Sequence, residues 1–296
     1  MENQNAVTVA QLQDIIIENA DHEANEREVD QFNDEGVALL MKTQTEESLR
    51  SFLRALYSCG NDAELQAKTL INIGDFQRRV PGHGARAMEI FALAETKSMS
   101  AITRSRLLSM KAMVFMLPTE LGQPDSQGIT NGITALDQAM RIADQASDTH
   151  PMDALKAKLF AAHRLTGAAS AYGTQEQKRF ALDIIHHLYP LIDGNAELKY
   201  EAARLRYAEA VITADENPLL AAAKLVVSAL QISDSSPLDR CGYLCLAAEF
   251  FYRGGELDLA RAVYFDAATH EADLSKHANT AHTAGRLQKM RQLLNL

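Results

Sequence analysis

Tryptophan is absent from this sequence, and the aromatic residues together make up only 6% of it. Proline and glycine are also scarce, with seven and 15 residues, and most of them fall between apolar-periodic stretches. Alanine and leucine, which are among the strongest helix formers, dominate the apolar residues instead. This pattern is typical of a helical protein. At 47% hydrophobic content, the 296 residues can bury a large core in one long array or in two domains.

Long apolar runs are missing as well. No run approaches the roughly 18 to 20 residues that span a bilayer, and the most apolar stretch, residues 219–230, is interrupted by Lys224. No basic cluster precedes an apolar core near the start, so we expect no secretory signal. The cysteines Cys59, Cys241 and Cys245 form no CxxC pair, which favours free thiols in a reducing compartment. The sequence therefore predicts a cytoplasmic protein without a membrane partner.

Charge is unevenly distributed along the chain, whose net charge is −10. Residues 1–47 hold twelve acidic and two basic side chains, whereas the remainder holds 27 of each. Nucleic-acid binding needs a basic footprint, so we expect no nucleic-acid partner. The acidic concentration predicts that the N-terminal segment differs in role from the rest. Two interpretations stay open: a structural cap, or an autoinhibitory arm that folds back onto a basic groove.

Apolar periodicity predicts a succession of helices separated by short breaks. One break, Glu216-Asn217-Pro218, places proline where the first helical residue tolerates it. Helices joined by short loops pack antiparallel. The predicted helices cover residues 8–20, 28–42, 45–58, 62–79, 84–97, 101–117, 128–146, 151–171, 174–192, 196–214, 217–232, 238–253, 256–271 and 274–294.

One segment carries a repeat motif. Residues 241–267 read CGYLCLAAEFFYRGGELDLARAVYFDA. Small and aromatic residues alternate there at helical spacing on both sides of a glycine turn, at positions Ala248, Phe251, Gly255, Leu257, Ala260, Tyr264 and Ala267. This segment resembles a tetratricopeptide repeat along its full length, and weaker matches extend the resemblance over about residues 60–271.

The resemblance implies an all-α fold, an antiparallel helix-pair solenoid. Residues 1–60 would form the acidic helical region or cap, and residues 61–296 the solenoid, with a capping helix at 274–294. A non-repeating helical bundle is the alternative. The last helix carries an apolar stripe that would support a homodimer if the fold leaves it uncovered, formed by Leu274, Leu287, Met290, Leu293 and Leu294.

In the tetratricopeptide family, the first helix of each pair lines a concave groove. Carrying its positions over residue by residue implies a partner-binding groove formed by Asn72, Phe76, Arg79, Arg106, Lys156, Leu159, His163, Arg204, Tyr207 and Glu249. Arg106, Lys156 and Arg204 recur at one equivalent position, and such a basic ridge would fit an acidic peptide. Ordinary solvated or paired charge is the alternative. Because Cys245 and Glu249 occupy the places of the family's carboxylate clamp, we do not expect capture of a chaperone tail.

The sequence contains none of the catalytic motifs that we looked for. No HExxH, paired CxxC or Walker-type loop occurs, so we expect no enzyme, catalytic residue, metal or cofactor. His270, His277 and His282 lie near one another in sequence, and a solvated helix is the simpler interpretation. The predicted function is a protein–protein interaction module: an adaptor, chaperone-like protein or regulatory scaffold that binds a peptide or helix. The alternative is a sensor that binds a short peptide or small ligand and regulates a partner protein.

Overall fold

The computed structural model describes residues 7–42, 44–120, 123, 125–192, 194–232, 237–271 and 281–296. These residues form fourteen α-helices and one 3₁₀ turn, Ala196–Leu198, and contain no strand. The predicted all-helical class is confirmed. The helices are α1 (Val9–Glu18), α2 (Glu26–Met41), α3 (Thr45–Ser58), α4 (Ala63–Arg79), α5 (Gly84–Glu95), α6 (Ala101–Glu120), α7 (Ser126–Asp144), α8 (Pro151–Tyr172), α9 (Gln175–Ile192), α10 (Lys199–Thr213), α11 (Pro218–Gln231), α12 (Pro237–Arg253), α13 (Leu257–Ala268) and α14 (Ala281–Leu293).

Local capping chemistry explains where several helices begin. The Asp62 and Asp125 carboxylates accept hydrogen bonds from backbone N–H groups in the first turns of α4 and α7. Asn217 does the same for α11, and Pro218 occupies the first helical position, where its missing N–H costs nothing. The first seven residues of the predicted 274–294 helix lie outside the described part of the chain.

The chain divides into two compact units, Met1–Ala161 (unit 1) and Ala162–Leu296 (unit 2). Unit 1 contains α1 to α7 and the first half of α8. Unit 2 contains the second half of α8 and the helices α9 to α14. The predicted division near residue 60 stays a prediction. Within unit 1 the acidic segment is part of the packed fold, because Leu12 of α1 and Val29 of α2 are fully buried.

Large side chains fill the core of unit 1. Phe52, Phe76 and Phe91 are at most 1% exposed, and the rings of Phe52 and Phe76 meet edge to face with centroids 6.5 Å apart. Helices α4 and α5 cross closely at Gly74, where an added Cβ would lie 2.2 Å from a ring atom of Phe91. Glycine at this position lets the phenylalanine ring pack directly on the α4 backbone.

Small side chains dominate the core of unit 2. Ala248, Ala260 and Ala267 are fully buried, and Tyr264 is the large residue beside them. Close helix approach at these alanines agrees with the role that the motif assigns to its small positions. The last helix, α14, packs on α12. The described residues of the predicted stripe pack on the protein's own core, where Leu287, Met290 and Leu294 are buried and Leu293 is partly buried. The remaining residue of the stripe, Leu274, lies outside the described part of the chain.

Polar side chains connect alternate helices at a recurring sequence separation. In unit 1, Asn33 of α2 bonds to Thr69 of α4, and Arg106 of α6 bonds to Asn72 of α4, at separations of 36 and 34 residues. In unit 2, Tyr200 of α10 bonds to Asp239 of α12 at a separation of 39 residues. In these three cases, helices two apart in sequence contact each other at separations of 34 to 39 residues. No helix in the described part of the chain is long and apolar enough to cross a bilayer.

Candidate functional site

Unit 1 contains a cavity of about 800 Å³. It forms where α4, the start of α6, the end of α7 and the first turns of α8 converge. Its lining combines charged and apolar side chains and comprises Glu64, Lys68, Ser100, Ala101, Ile102, Thr103, Arg106, Gln145, Ala146, Thr149, His150, Asp153, Lys156, Ala157 and Phe160. The predicted groove residues Arg106 and Lys156 therefore line one cavity.

A chain of hydrogen bonds orients Arg106 at the cavity wall. Its Nη2 donates to Asn72 Oδ1 at 2.6 Å. Asn72 Nδ2 in turn donates to Asn33 Oδ1 at 2.8 Å, and Asn33 Nδ2 donates to Thr69 Oγ1 at 3.0 Å. The three polar side chains behind Arg106 are at most 9% exposed. This buried chain of hydrogen bonds connects α2, α4 and α6. It holds the Arg106 guanidinium in place without neutralising its charge.

No described residue acts as a dedicated counter-ion for Arg106. Its side chain is solvent-accessible, but surrounding protein desolvates the guanidinium and lowers its pKa, an effect that the more distant Asp75 opposes. The carboxylate of Asp75 is itself held by Arg78 and Arg79 at 2.8 and 2.9 Å. Among the described residues, no carboxylate lies within ion-pair distance of Arg106. A partly desolvated cation that faces a cavity is a site where a ligand's negative charge is stabilised.

Further cations surround the same cavity. Lys156 on α8 is exposed and forms no hydrogen bond or ion pair with any residue that the structure describes. Lys68 lies 3.8 Å from Glu64, a distance typical of a weak ion pair. His150 and Asp153 stand on the α8 side of the cavity, and both are exposed.

Glu64 performs a structural role beside these cations. It accepts hydrogen bonds from the Ser100 N–H at 2.7 Å, the Ser100 hydroxyl at 2.9 Å and the Thr103 hydroxyl at 2.6 Å. Burial acts to raise the pKa of Glu64, but the hydrogen bonds from Thr103 and Ser100 and the charge of Lys68 together hold it below its usual value. Glu64 thus fixes the start of α6 against α4. Its charge is already satisfied by these donors.

Apolar side chains complete the cavity. Ile102, Ala146, Ala157 and Phe160 contribute hydrocarbon surface, and Phe160 also packs against the core of unit 1. A cavity of this kind fits a ligand that combines negatively charged groups with an apolar part.

In unit 2, three predicted groove residues belong to a basic and aromatic surface. The Arg204 guanidinium lies 4.6 Å from the ring centroid of Tyr200. Tyr207 stacks on Tyr243 with centroids 4.7 Å apart, and its hydroxyl oxygen accepts a hydrogen bond from Arg286 at 3.5 Å. The pKa of the third residue, His163, is lowered well below its usual value, first by burial and then by the charges of Arg204 and Arg164.

The other predicted groove residues have partners or are buried. Phe76 and Leu159 are at most 1% exposed, and so belong to the core and offer no accessible contact. Arg79 is paired with Asp75, and Glu249 accepts a hydrogen bond from Lys289 at 2.7 Å. Asn72 is buried and positions Arg106 from behind.

Sequence analysis missed several charged residues that the structure brings together. Lys68 and Asp153 join the cavity, and no motif or local pattern singles them out. In unit 2, Glu209 accepts hydrogen bonds from Tyr189 at 2.7 Å and Lys224 at 2.6 Å, and so connects α9, α10 and α11. Burial acts to raise the pKa of Glu209, but its bonds to Lys224 and Tyr189 hold the pKa below its usual value.

The structure also shows where the cysteines lie and which histidines it describes. Cys59, Cys241 and Cys245 are buried free thiols. Within the described part of the chain, no three His, Cys, Asp or Glu side chains converge in a way that could hold a metal ion. His277 and the side chain of His282 lie outside that part.

A scan against protein-family models and searches of the curated proteins and of the solved structures found no match to this chain.

Proposed function

We propose that this chain is a non-enzymatic interaction module that binds an acidic peptide segment of a partner protein, with Arg106 and Lys156 contacting the peptide's carboxylates. The observation that carries this proposal is the accessible Arg106 guanidinium, which faces the cavity with no carboxylate of the described residues in ion-pair distance. The proposed role is that of an adaptor, chaperone-like protein or regulatory scaffold in the cytoplasm.

The energetics favour acidic ligands over neutral ones. A charge-assisted hydrogen bond contributes about 1.5 to 3 kcal/mol, which is roughly a tenfold to hundredfold change in affinity. Arginine presents a planar set of donors that matches a carboxylate in two parallel bonds. Lys156 and Lys68 add positive charge that would raise the association rate, and Ile102 and Phe160 would take the apolar part of the peptide.

We further infer that the helices form a tetratricopeptide-like repeat array. Support comes from three side-chain contacts between alternate helices, two in unit 1 and one in unit 2, at separations of 34 to 39 residues. It also comes from the 241–267 segment, where the motif's small positions are fully buried and Gly255 has a φ of +86°, a conformation that glycine tolerates. A repeat array exposes long helix faces to partners, as a peptide-binding scaffold requires.

The size of the cavity favours a second candidate function, a sensor of a small ligand. A volume of about 800 Å³ lies within the range of sites that enclose drug-sized molecules. In that case a small organic acid or short peptide would occupy the cavity, and regulation of a partner would follow from binding.

A titration with defined peptides tests the proposed function. The probe is a fluorescein-labelled decapeptide that alternates glutamate with leucine, and its control carries lysine in place of glutamate. We expect the acidic peptide to bind and Arg106→Gln to weaken binding at least tenfold, read by fluorescence anisotropy. Arg141→Gln is the matched control, because Arg141 is an exposed arginine paired with Asp137 and outside the cavity lining. Equal binding of both peptides, or no effect of Arg106→Gln, would contradict the proposal.

Thermal melting separates the sensor from the peptide-binding module. If a small acid is the ligand, a panel of mono- and dicarboxylates raises the melting temperature of the wild type and not of Arg106→Gln. No shift with any acid, together with binding of the acidic peptide, would exclude the sensor.

A further inference from the structure

We propose that unit 2 binds a doubly charged tetrahedral oxyanion, with the chemistry shared by sulfate and a phosphate monoester. The groups that would hold it are the Arg204 guanidinium and the Tyr207 hydroxyl of α10 and the His163 imidazole of α8, here called the oxyanion cluster. The proposal is independent of the peptide-binding function, which concerns the cavity of unit 1.

One face of α10 presents the guanidinium and the hydroxyl together. Tyr200, Arg204 and Tyr207 follow one another at intervals of four and three residues, which places them on one side of the helix. The Arg204 guanidinium lies 4.6 Å from the centroid of the Tyr200 ring. This contact between a cation and an aromatic ring holds the guanidinium in place without neutralising its charge. Helix α10 therefore places a fork of N–H donors one turn from the Tyr207 hydroxyl.

The positive charge of Arg204 is available to a ligand. Among the described residues, no carboxylate lies within ion-pair distance of it. Asp239 of α12 instead accepts a hydrogen bond from the Tyr200 hydroxyl at 2.5 Å, and Glu249 of the same helix accepts one from Lys289 at 2.7 Å. Both acidic residues of α12 are therefore engaged by groups other than Arg204.

The Tyr207 hydroxyl has a proton to donate. Its oxygen accepts a long hydrogen bond from the Arg286 guanidinium of α14 at 3.5 Å, which leaves the hydroxyl proton free for a ligand. The Tyr207 ring is fixed by stacking on Tyr243, with centroids 4.7 Å apart. Arg286 also forms no ion pair with a described carboxylate, so it adds a second positive charge beside the oxyanion cluster.

His163 is the member of the oxyanion cluster that lacks a partner. Protein surrounds most of its ring, part of the side chain stays accessible, and the ring forms no hydrogen bond with any described residue. Burial lowers the pKa of His163 first, followed by the positive charges of Arg204 on α10 and Arg164 on α8 itself. No described acidic group opposes them. An anion bound between His163 and Arg204 would counter this charge and allow the imidazole to take up a proton.

The number of donors favours a tetrahedral oxyanion over a carboxylate. The Arg204 fork can reach two oxygens, and His163 and Tyr207 can each reach one more. Sulfate and a phosphate monoester offer enough oxygens for all these donors, whereas a carboxylate would leave two of the groups unpaired. Two negative charges also match Arg204 and a protonated His163. The carboxylates of the peptide proposed for unit 1 are therefore the poorer ligands here.

The protonation of His163 reports binding directly. The experiment is an NMR pH titration of the His163 ring in the full chain, with sodium sulfate up to about 20 mM and chloride holding the ionic strength constant. Sulfate carries the same charge throughout this range, so a change belongs to the protein. We expect sulfate to move the midpoint of the His163 titration upward by at least one pH unit. Because binding favours the protonated ring, sulfate affinity should rise as pH falls from 7.5 to 5.5, by at most about tenfold per pH unit.

Substitutions in α10 locate the site. Arg204→Gln should weaken sulfate binding at least tenfold and leave the His163 midpoint insensitive to sulfate. Arg206→Gln is the matched control, because Arg206 lies on the same helix, bonds to Gln231 and should behave as the wild type. Tyr207→Phe keeps the stacked ring and removes only the hydroxyl, so it tests the site with little risk to folding. It should weaken sulfate binding about threefold to tenfold.

Three anions separate the outcomes. Sulfate and O-phosphoserine should both bind, and the tighter of the two identifies which ester the site takes, whereas acetate at the same concentration should leave His163 unchanged. The proposal is overturned if neither dianion moves the His163 midpoint at 20 mM, or if acetate moves it equally. Sulfate binding by folded Arg204→Gln and Tyr207→Phe as tight as that of the wild type would also overturn it.

Discussion

The two units distribute their large apolar residues differently. In unit 1, phenylalanines and branched side chains fill the core, and the large apolar side chains exposed among the described residues are scattered: Ile17, Val37, Tyr57 and Met152. In unit 2, buried alanines bring the helices close together, and leucines and phenylalanines stand on the outside. The comparison teaches that a helical fold can close on small residues and leave large ones exposed.

The difference has a consequence for binding. Unit 1 presents cations around an open cavity, where a partner's charge would decide affinity. Unit 2 instead exposes uncharged apolar side chains on α11. Paired substitutions in the two units test whether their packing differs.

The largest expected effect comes from removing a phenylalanine ring in each unit. Phe91→Ala empties a fully buried site in unit 1 and should cost about 3 to 5 kcal/mol of unfolding free energy. Phe265→Ala in unit 2 removes a ring that is 55% exposed and should cost no more than about 1 kcal/mol. Urea denaturation followed by circular dichroism measures both. Equal losses of unfolding free energy would mean that the two units do not differ in how they place their large apolar side chains.

A smaller effect is expected from adding one methyl group at a glycine. Gly74→Ala drives a Cβ into the Phe91 ring of unit 1 and should cost about 1 to 3 kcal/mol. Gly167→Ala in the α8 part of unit 2 meets no atom within 4 Å and should stabilise the helix by about 0.5 to 1 kcal/mol. A loss of unfolding free energy for Gly74→Ala and a gain for Gly167→Ala in the same urea assay would support the close α4–α5 crossing. If Gly74→Ala is neutral, that crossing is looser than described.

The smallest effect is a pH dependence of unfolding to which His163 of unit 2 contributes. Because burial, Arg204 and Arg164 lower the pKa of His163, the unfolded chain binds a proton below pH 6.5 that the folded chain does not. Unfolding free energy should therefore fall as pH drops below 6.5, by at most about 1.4 kcal/mol per pH unit.

His163→Gln should reduce this pH dependence without abolishing it, because burial and Arg86 also lower the pKa of His83 in unit 1. Thermal melting between pH 7.5 and about 5.5 measures the change. His150→Gln, at the exposed edge of the cavity in unit 1, is the matched control and should leave the dependence in place. The account is contradicted if His163→Gln melts with the same pH dependence as the wild type.

Helix positions could be predicted well because their signals are local. Periodicity and caps such as Asn217-Pro218 predict α11 to within one residue at each end, since helix starts depend on neighbours a few residues away. The predicted helices that lie wholly within the described residues start and end within three residues of those observed.

The cavity could be predicted only in part. The resemblance selects Arg106 and Lys156, and both line the cavity. It also selects Phe76 and Leu159, which are buried, because a helix register gives the direction of a side chain but not the depth of packing over it. The bonds of Glu64 to Ser100 and Thr103 span 36 and 39 residues, and no local pattern contains them.

Helix α11 shows a second limit of what the sequence can predict. Leu220, Val227 and Leu230 repeat at helical spacing, but so do Ala222, Leu225 and Ala229 on the other side of the same helix. Hydrophobicity alone would assign the leucine-rich side to the core. The structure buries the alanine-rich side instead, because small residues allow α11 to approach α10 and α12 closely.

Hydrogen–deuterium exchange with and without the glutamate–leucine peptide tests the central claim, that unit 1 is the acidic-peptide site, most directly. The account predicts slower exchange in two segments on binding, residues 101–106 at the start of α6 and residues 150–157 at the start of α8, with α10 and α11 unchanged. Protection confined to residues 200–207 of unit 2, or no protection in either unit at saturating peptide, would contradict it.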